Sequence, residues 1–223
     1  MLFNMGHTIT AIKVQKRNPQ RVAIYLDGEY AFGLARIVAA WLTVGKEISD
    51  EELSRLKEQD TLEVAYLKAL NSLSYRPRSI TEVQNKLNEK GFSEQVVEET
   101  IDRLQKNGLL NDAQFASTWV ENRVSFHPRS QRLLTYELRS KGVAEEAIDQ
   151  ALGEMADDET LAYQAAESQA RKLTGLEKPK FKTRLLGYLG RRGFPYAVIF
   201  PVVDRLWNEL HMRMGTEGDQ PGE

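Results

Sequence analysis

Arginine and lysine recur beside fixed landmarks in this chain, and the chemistry open to such side chains is the binding of anions. Arg76 and Arg78 flank Pro77, Arg129 and Arg132 follow Pro128, and Lys180, Lys182 and Arg184 follow Pro179. Lys90, Lys141 and Arg192 each precede a glycine, with Arg139 and Arg191 just ahead of the last two. Cations in the last turn of a helix complement its macrodipole without any ligand. That accounts for Lys90, Lys141 and Arg192 as well as a partner would. Near a helix start a cation is mildly unfavourable, so Arg76, Arg78, Arg129 and Arg132 point to an external anion.

Other chemistries find little support. His7, His127 and His211 lack any metal-ligand spacing, so no metal site is expected. Cysteine is absent, which removes disulfides, thiolate nucleophiles and Cys-type metal sites. Neither a GxxxxGK[ST] loop nor a strand-linked GxGxxG occurs. Gly187, Gly190 and Gly193 lie three apart, but within a helix and its stop, where close packing is the simpler expectation. The chain reads as a protein without catalytic residues or cofactor.

The landmarks belong to a repeat. "YRPRSITEVQNKLNEKGF" (75–92), "FHPRSQRLLTYELRSKGV" (126–143) and "EKPKFKTRLLGYLGRRGF" (177–194) align without gaps at a period of 51 residues. Pro77, Pro128 and Pro179 coincide, as do Leu87, Leu138 and Leu189, and then Gly91, Gly142 and Gly193. Proline biases the chain away from helical geometry, and so separates two helices. Ser79 and Ser130 then serve as N-caps, Ser79 with Glu82 as a capping box. Val83 and Leu87 make the apolar stripe, and the glycine supplies the left-handed stop. Ser93 restarts a helix. "LEVAYLKALNSL" (62–73), "AQFASTWVENRV" (113–124) and "ETLAYQAAESQARKL" (159–173) are helical ahead of each proline. Tyr75 and Phe126 share a repeat position and are expected as buried staples. Each unit of about fifty residues is three helices that bury too little alone, so stacking into an elongated, curved array is expected.

Residues 1–60 differ. "TITAIKVQKR" and "RVAIYLDGEYAF" alternate apolar and polar residues, with turns at Asn18-Pro19 and Asp27-Gly28. They predict an antiparallel meander over 8–33, a helix around Leu34 to Leu42, and another after Ser49 and Glu52. The expected fold is therefore mainly α, with a small N-terminal antiparallel β-meander. Its expected domains are a capping region (1–60), three-helix repeats at 61–110, 111–157 and 158–212, and a disordered tail (213–223), structureless from Gly215. With 41% hydrophobic and 28% charged residues and no membrane-length apolar run, a cytoplasmic protein is expected. The net charge of −2 conceals a polarity. Glu145 to Glu167 holds eight acids and no Lys or Arg, whereas Arg171 to Arg192 holds eight bases against Glu177 alone.

The order of "ALNSLSYRPRSITEVQNKL", "GLLNDAQFASTWVENR" (Gly108 to Arg123), "RLLTYELRSKGV" and "LLGYLGRRGF" resembles the RecX family of bacterial recombination regulators, over residues 62 to 207. The resemblance implies tandem three-helix repeats without catalytic residues. It also implies a regulator that lies in the groove of the RecA–DNA filament and lowers its ATPase, strand-exchange and co-protease activities. DNA contact would be weak and non-specific, and the protein a monomer. Two departures stand out: Lys180-Phe181 replaces the Arg-Ser step, and strands at the N-terminus occur in only some members. An autonomous helix-turn-helix-like DNA-binding protein and a generic helical scaffold are the rival readings.

Overall fold

A computed structural model of the chain describes residues 6–153 and 155–217. The chain divides into two compact units. One runs to Arg78 and resumes over Glu82–Leu110; the other takes Ser79–Thr81 and the chain from Asn111 onward.

In the first unit, β1 (His7–Gln15), β2 (Asn18–Leu26) and β3 (Glu29–Ala35) form an antiparallel meander. A short β4 (Glu47–Ile48) pairs with the start of β1, giving the order β3-β2-β1-β4. Alternation along β2 buries Val22, Ile24 and Leu26 against Ile9, Leu34 and Leu56. Asp27 and Gly28 both take positive φ, 52° and 92°, as a two-residue primed turn requires. The other turn falls two residues earlier than expected. Lys16 and Arg17 make it, Gln15 pairs with Asn18, and Pro19 sits at the strand's opening, where a missing donor costs little. The helix expected at 34–42 is not formed. Leu34 pairs with Val22 in β3, and the residues after Ala35 make isolated turns too short to propagate a helix before Gly45 at φ 89°.

α1 (Asp50–Leu73) is one helix where two were expected. Ser49 and Glu52 form the capping box, and no proline or glycine interrupts the next 24 residues. Asp60, in its middle, docks it to the sheet. Its carboxylate accepts from the Ala35 amide at 2.6 Å and from Arg21 Nη2 at 2.7 Å. α2 (Ile80–Asn88) buries Val83 and Leu87, and α3 (Glu94–Lys106), capped by Ser93, ties back through Arg103 to Glu63 at 2.7 Å.

The second unit holds α4 (Asp112–Phe126), α5 (Gln131–Ser140), α6 (Glu145–Gly153), α7 (Asp158–Arg171), α8 (Lys178–Gly190) and α9 (Tyr196–Glu217). Ser130 caps α5 by accepting from the Leu133 amide at 3.2 Å, and Asp157 caps α7 through Thr160 at 2.8 Å. α8 departs from its counterparts, because it starts ahead of Pro179 and carries the proline in its first turn, where the ring is tolerated. Phe181, standing where Ser130 stands one repeat earlier, is fully buried and meets Trp207 edge-on at 5.1 Å. α9 passes Gly215, where order was expected to end; the rest of the anticipated tail, 218–223, lies outside the described residues.

Gly91, Gly142 and Gly193 take φ of 81°, 73° and 86° and close their helices in the same way, the amide just after the glycine returning to Leu87, Leu138 or Leu189. Two of the three stops also form a seam within the second unit. The Ser79 hydroxyl donates to the Lys141 carbonyl at 2.6 Å, and the Ser130 amide donates to the Arg192 carbonyl at 3.0 Å. A Cβ on Gly142 would lie 2.6 Å from Thr81 Cβ, and one on Gly193 would lie 2.6 Å from Leu133 Cβ. Gly91 faces open space. Gly187 meets only the Arg191 side chain and Gly190 nothing, so the close packing expected of that trio belongs to Gly193 alone.

Gly91→Ala should therefore cost only the left-handed backbone penalty, about 1–2 kcal/mol. Gly142→Ala should cost more, and Gly142→Val should prevent stable folding. Equal melting temperatures for Gly91→Ala and Gly142→Ala would show that the seam tolerates a side chain. At the start of β1 His7 donates from Nδ1 to Asp27 at 2.9 Å and lies 3.4 Å from Asp50, and the Asp27 hydrogen bond raises its pKa above the ordinary 6.5. A raised imidazole stabilises fully below 6.5, and that stabilisation fades as pH rises through the raised value. The parent should lose melting temperature above pH 6.5, and His7→Gln should remove that component.

Candidate binding surface

The cations proposed from sequence separate into three groups and a cluster. Carboxylates hold the first. Arg76 forks onto Glu82 with two contacts of 3.0 Å, which raises its pKa, and Arg139 forks onto Glu145 with the same effect. Arg129 pairs with Glu137, Lys182 with Asp204 at 2.5 Å, and Lys180 reaches Glu177 only at 4.0 Å. The backbone holds the second group. Arg78 Nε donates to the Ser72 carbonyl at 3.0 Å near the end of α1, and Arg132 Nη2 reaches the Gly193 carbonyl at 3.4 Å. These two answer the question raised by cations near helix starts, since their anion is the protein's own carbonyl dipole. Lys90, Arg184 and Arg191 form the third group, exposed and paired with no carboxylate among the described residues.

Arg192 and Lys141 lie in a cluster that sequence reasoning missed. Glu137, 14% exposed, accepts from Trp119 Nε1 at 2.9 Å and from Arg123 Nε at 3.4 Å, and also pairs with Arg129. The Arg123 guanidinium lies 4.3 Å and the Lys141 ammonium 4.5 Å from the Trp119 ring centroid. Arg192 stacks its guanidinium 3.9 Å from the Tyr188 ring, while its buried Nε finds no acceptor among the described residues. Burial first, and then the charges of Arg123 and Arg192, push the Arg129 pKa below the ordinary arginine value. One half-buried carboxylate thus serves two guanidinium groups, and the charge of Arg192 also acts on Arg129, leaving local positive charge in excess. Arg123, Trp119 and Glu137 fall on separate helices or turns of helix, and nothing in their spacing announced the cluster.

On α8, Lys180, Arg184 and Arg191 are exposed at positions i, i+4 and i+11, one face of the helix, with bare Gly187 between the arginines. Tyr75 and Phe126, expected to be buried, are 77% and 73% exposed. The helices they leave end before the proline, so neither ring has a following turn to fold onto. Acids of the 145–167 run are largely structural: Glu145 holds Arg139, Asp157 caps α7, Asp158 accepts from the Gln131 amide at 2.9 Å, and Glu167 holds Arg171 at 2.6 Å. No group of three or more acids and histidines that could hold a metal is present among the described residues. Nor is any described helix long and apolar enough to cross a membrane.

Four consecutive stretches match domains of one family. Residues 7–49 match the regulatory protein RecX N-terminal domain, and residues 65–104, 111–152 and 157–203 match the first, second and third three-helix domains of RecX. The chain belongs to the RecX family. It is 34% identical over 202 residues to the regulatory protein RecX of Bacillus subtilis (strain 168), covering 89% of this chain and 76% of that one. RecX of Clostridioides difficile (strain 630) is 29% identical over 204 residues, covering 90% and 96%. A crystal structure of regulatory protein RecX superposes with a TM-score of 0.69 at 27% identity, covering 89% of this chain and 99% of that one. RecX from Lactobacillus salivarius shares the fold, with a TM-score of 0.57 at 24% identity, covering 66% and 97%. The RecX family is one of regulatory proteins rather than of enzymes, and the tandem three-helix repeats behind a small sheet agree with it.

Replacing Glu137 by Gln keeps an acceptor for Trp119 but leaves the Arg123 and Arg129 guanidinium groups without their carboxylate. Because Arg129 is about a third exposed, the cost should be discounted to about 1–2 kcal/mol. Urea unfolding should show it, and added sulfate should recover part of it. A midpoint unchanged in low salt would mean the cluster is not electrostatically frustrated.

Proposed function

We propose that this protein binds the RecA recombinase filament on DNA and lowers its ATPase, strand-exchange and co-protease activities. Membership of the RecX family across all four domains carries the reading. The exposed cations of α8 support it, because a filament offers both acidic protein surface and phosphates. Several modest contacts spread over tandem repeats add through effective concentration, with no deep pocket required. DNA is the secondary partner, since lysines and arginines on a helix face give phosphate contact and little sequence readout.

The rival reading, an autonomous DNA-binding protein that uses α5 as a recognition helix, has the packing against it. Leu134 and Leu138 are fully buried, and the helix's first turn, which would have to enter a groove, is covered by the Arg192–Gly193 turn.

Stoichiometric protein should reduce the DNA-dependent ATPase rate and the mean length of RecA filaments; unchanged values would remove the reading. Arg129 and Arg132 are unsuitable for a charge-reversal test, because both hold the fold. Arg184→Glu with Arg191→Glu should instead weaken filament binding roughly tenfold, flatten its salt dependence and leave the melting temperature within about a degree. Tight, sequence-selective binding to naked duplex that resists salt would favour the rival.

A further inference from the structure

Between α1 and α2 of the first unit lies a cavity of ≈ 130 Å³, with Ala69, Val83 and Leu87 lining its floor and Lys68, Lys86 and Lys90 its wall. None of these lysines pairs with a carboxylate among the described residues. Lys86 and Lys90 are four residues apart and repel one another, and three ammonium groups around an apolar floor gain nothing from the fold itself. Of the three, only Lys90 stands at a repeat position that is basic in every copy. Lys68 and Lys86 went unnoticed because their repeat counterparts are not basic.

Those counterparts suggest an occupant. Advancing by 51 residues turns Lys68 into Trp119, Lys86 into Glu137 and Lys90 into Lys141, while the floor becomes Val120, Leu134 and Leu138. In the second repeat the equivalent place is filled from within. The Trp119 indole donates to the Glu137 carboxylate at 2.9 Å and carries the Lys141 ammonium 4.5 Å from its centroid. In the third repeat, Lys86 and Lys90 correspond to Tyr188 and Arg192, again an aromatic ring under a cation, at 3.9 Å. Only the first repeat keeps the cation and lacks both ring and carboxylate.

We infer that this cavity is a docking site for an acidic peptide segment carrying an aromatic side chain, which supplies from a partner the pair that the second repeat supplies from its own chain. The carboxylates would meet the three lysines, and the ring would cover Val83 and Leu87 under a cation. A phosphodiester would satisfy the lysines but leave the floor wet, so a peptide fits the lining better. This goes beyond the proposed function, as it holds whatever protein the segment belongs to.

The test uses the full ¹⁵N-labelled chain and an acetylated, amidated tetrapeptide of three glutamates and one tryptophan. The peptide should shift the amides of Lys68, Lys86 and Lys90, and an all-glutamate peptide should bind several-fold more weakly. Lys68→Trp with Lys86→Glu rebuilds the second repeat's pair in the first, and should weaken peptide binding at least tenfold without lowering the melting temperature. Should that variant fold poorly, the exposed substitution Lys90→Glu must still weaken binding. Absent shifts, equal binding by the variants, or equal binding of the all-glutamate peptide would overturn the inference. So would an oligothymidine that displaces the peptide from these amides, which would assign the cavity to nucleic acid. RecA inhibition retained by the double variant leaves the proposed function standing, so the two can fail separately.

Discussion

The constraint on which most of this chain depends is the left-handed stop at the end of each repeat's middle helix. A residue at positive φ turns the chain sharply, and the amide that follows it returns to the last leucine of the apolar stripe. At Gly142 and Gly193 the turned backbone also exposes the carbonyl just before it, and a serine or its amide takes that carbonyl. Only glycine meets both demands, because any Cβ would meet the side chain of Thr81 or Leu133. The helix stop and the seam are thus one device. Its period, rather than any pocket or catalytic group, sets the spacing of everything else.

That device also explains why so few of the recurring cations are available to a partner. A helix start packed on a neighbouring stop brings a carbonyl into reach, and arginine is the side chain long enough to use it. Arg132 is spent this way, on the Gly193 carbonyl, while Arg78 is spent on the Ser72 carbonyl near the end of α1. Others settle on carboxylates near by in sequence, six residues away for Arg76 and Arg139. What remains is defined by subtraction. An exposed cation without a carboxylate keeps its full field toward solvent, so Arg184 and Arg191 contribute more to a salt-sensitive encounter than the more numerous paired residues.

Much of this architecture is legible in the sequence because its rules are local. Proline, serine cap, leucine stripe and glycine stop act within a dozen residues, so three aligned copies disclosed the repeat and its helices. The capping box at Ser49 and the primed turn at Asp27 and Gly28 are local in the same sense. What was not legible depends on distant partners. α1 is unbroken partly because Asp60 has Arg21 and the Ala35 amide to satisfy it, and neither is visible from residue 60. Phe181 belongs to the core because Trp207 stands opposite. Glu137 gathers two guanidiniums, Arg123 from α4 and Arg129 from the loop after it. Tyr75 and Phe126 failed for another reason: a staple needs a following helical turn to close on, and Tyr75 lies past the end of α1 while Phe126 is the last residue of α4.

The repeats keep a common backbone grammar while changing what fills the place between the first and second helix. Tryptophan with glutamate, tyrosine under arginine, and three lysines around an open floor are successive solutions at one address. Drift alone would be expected to leave a cavity apolar or to close it, because an uncompensated ring of like charge weakens the helices that bear it. A filled address stabilises its own repeat. An open, charged one can be stabilised only from outside, and in a protein built from three similar units that difference is what lets one repeat receive a partner while the other two hold the fold.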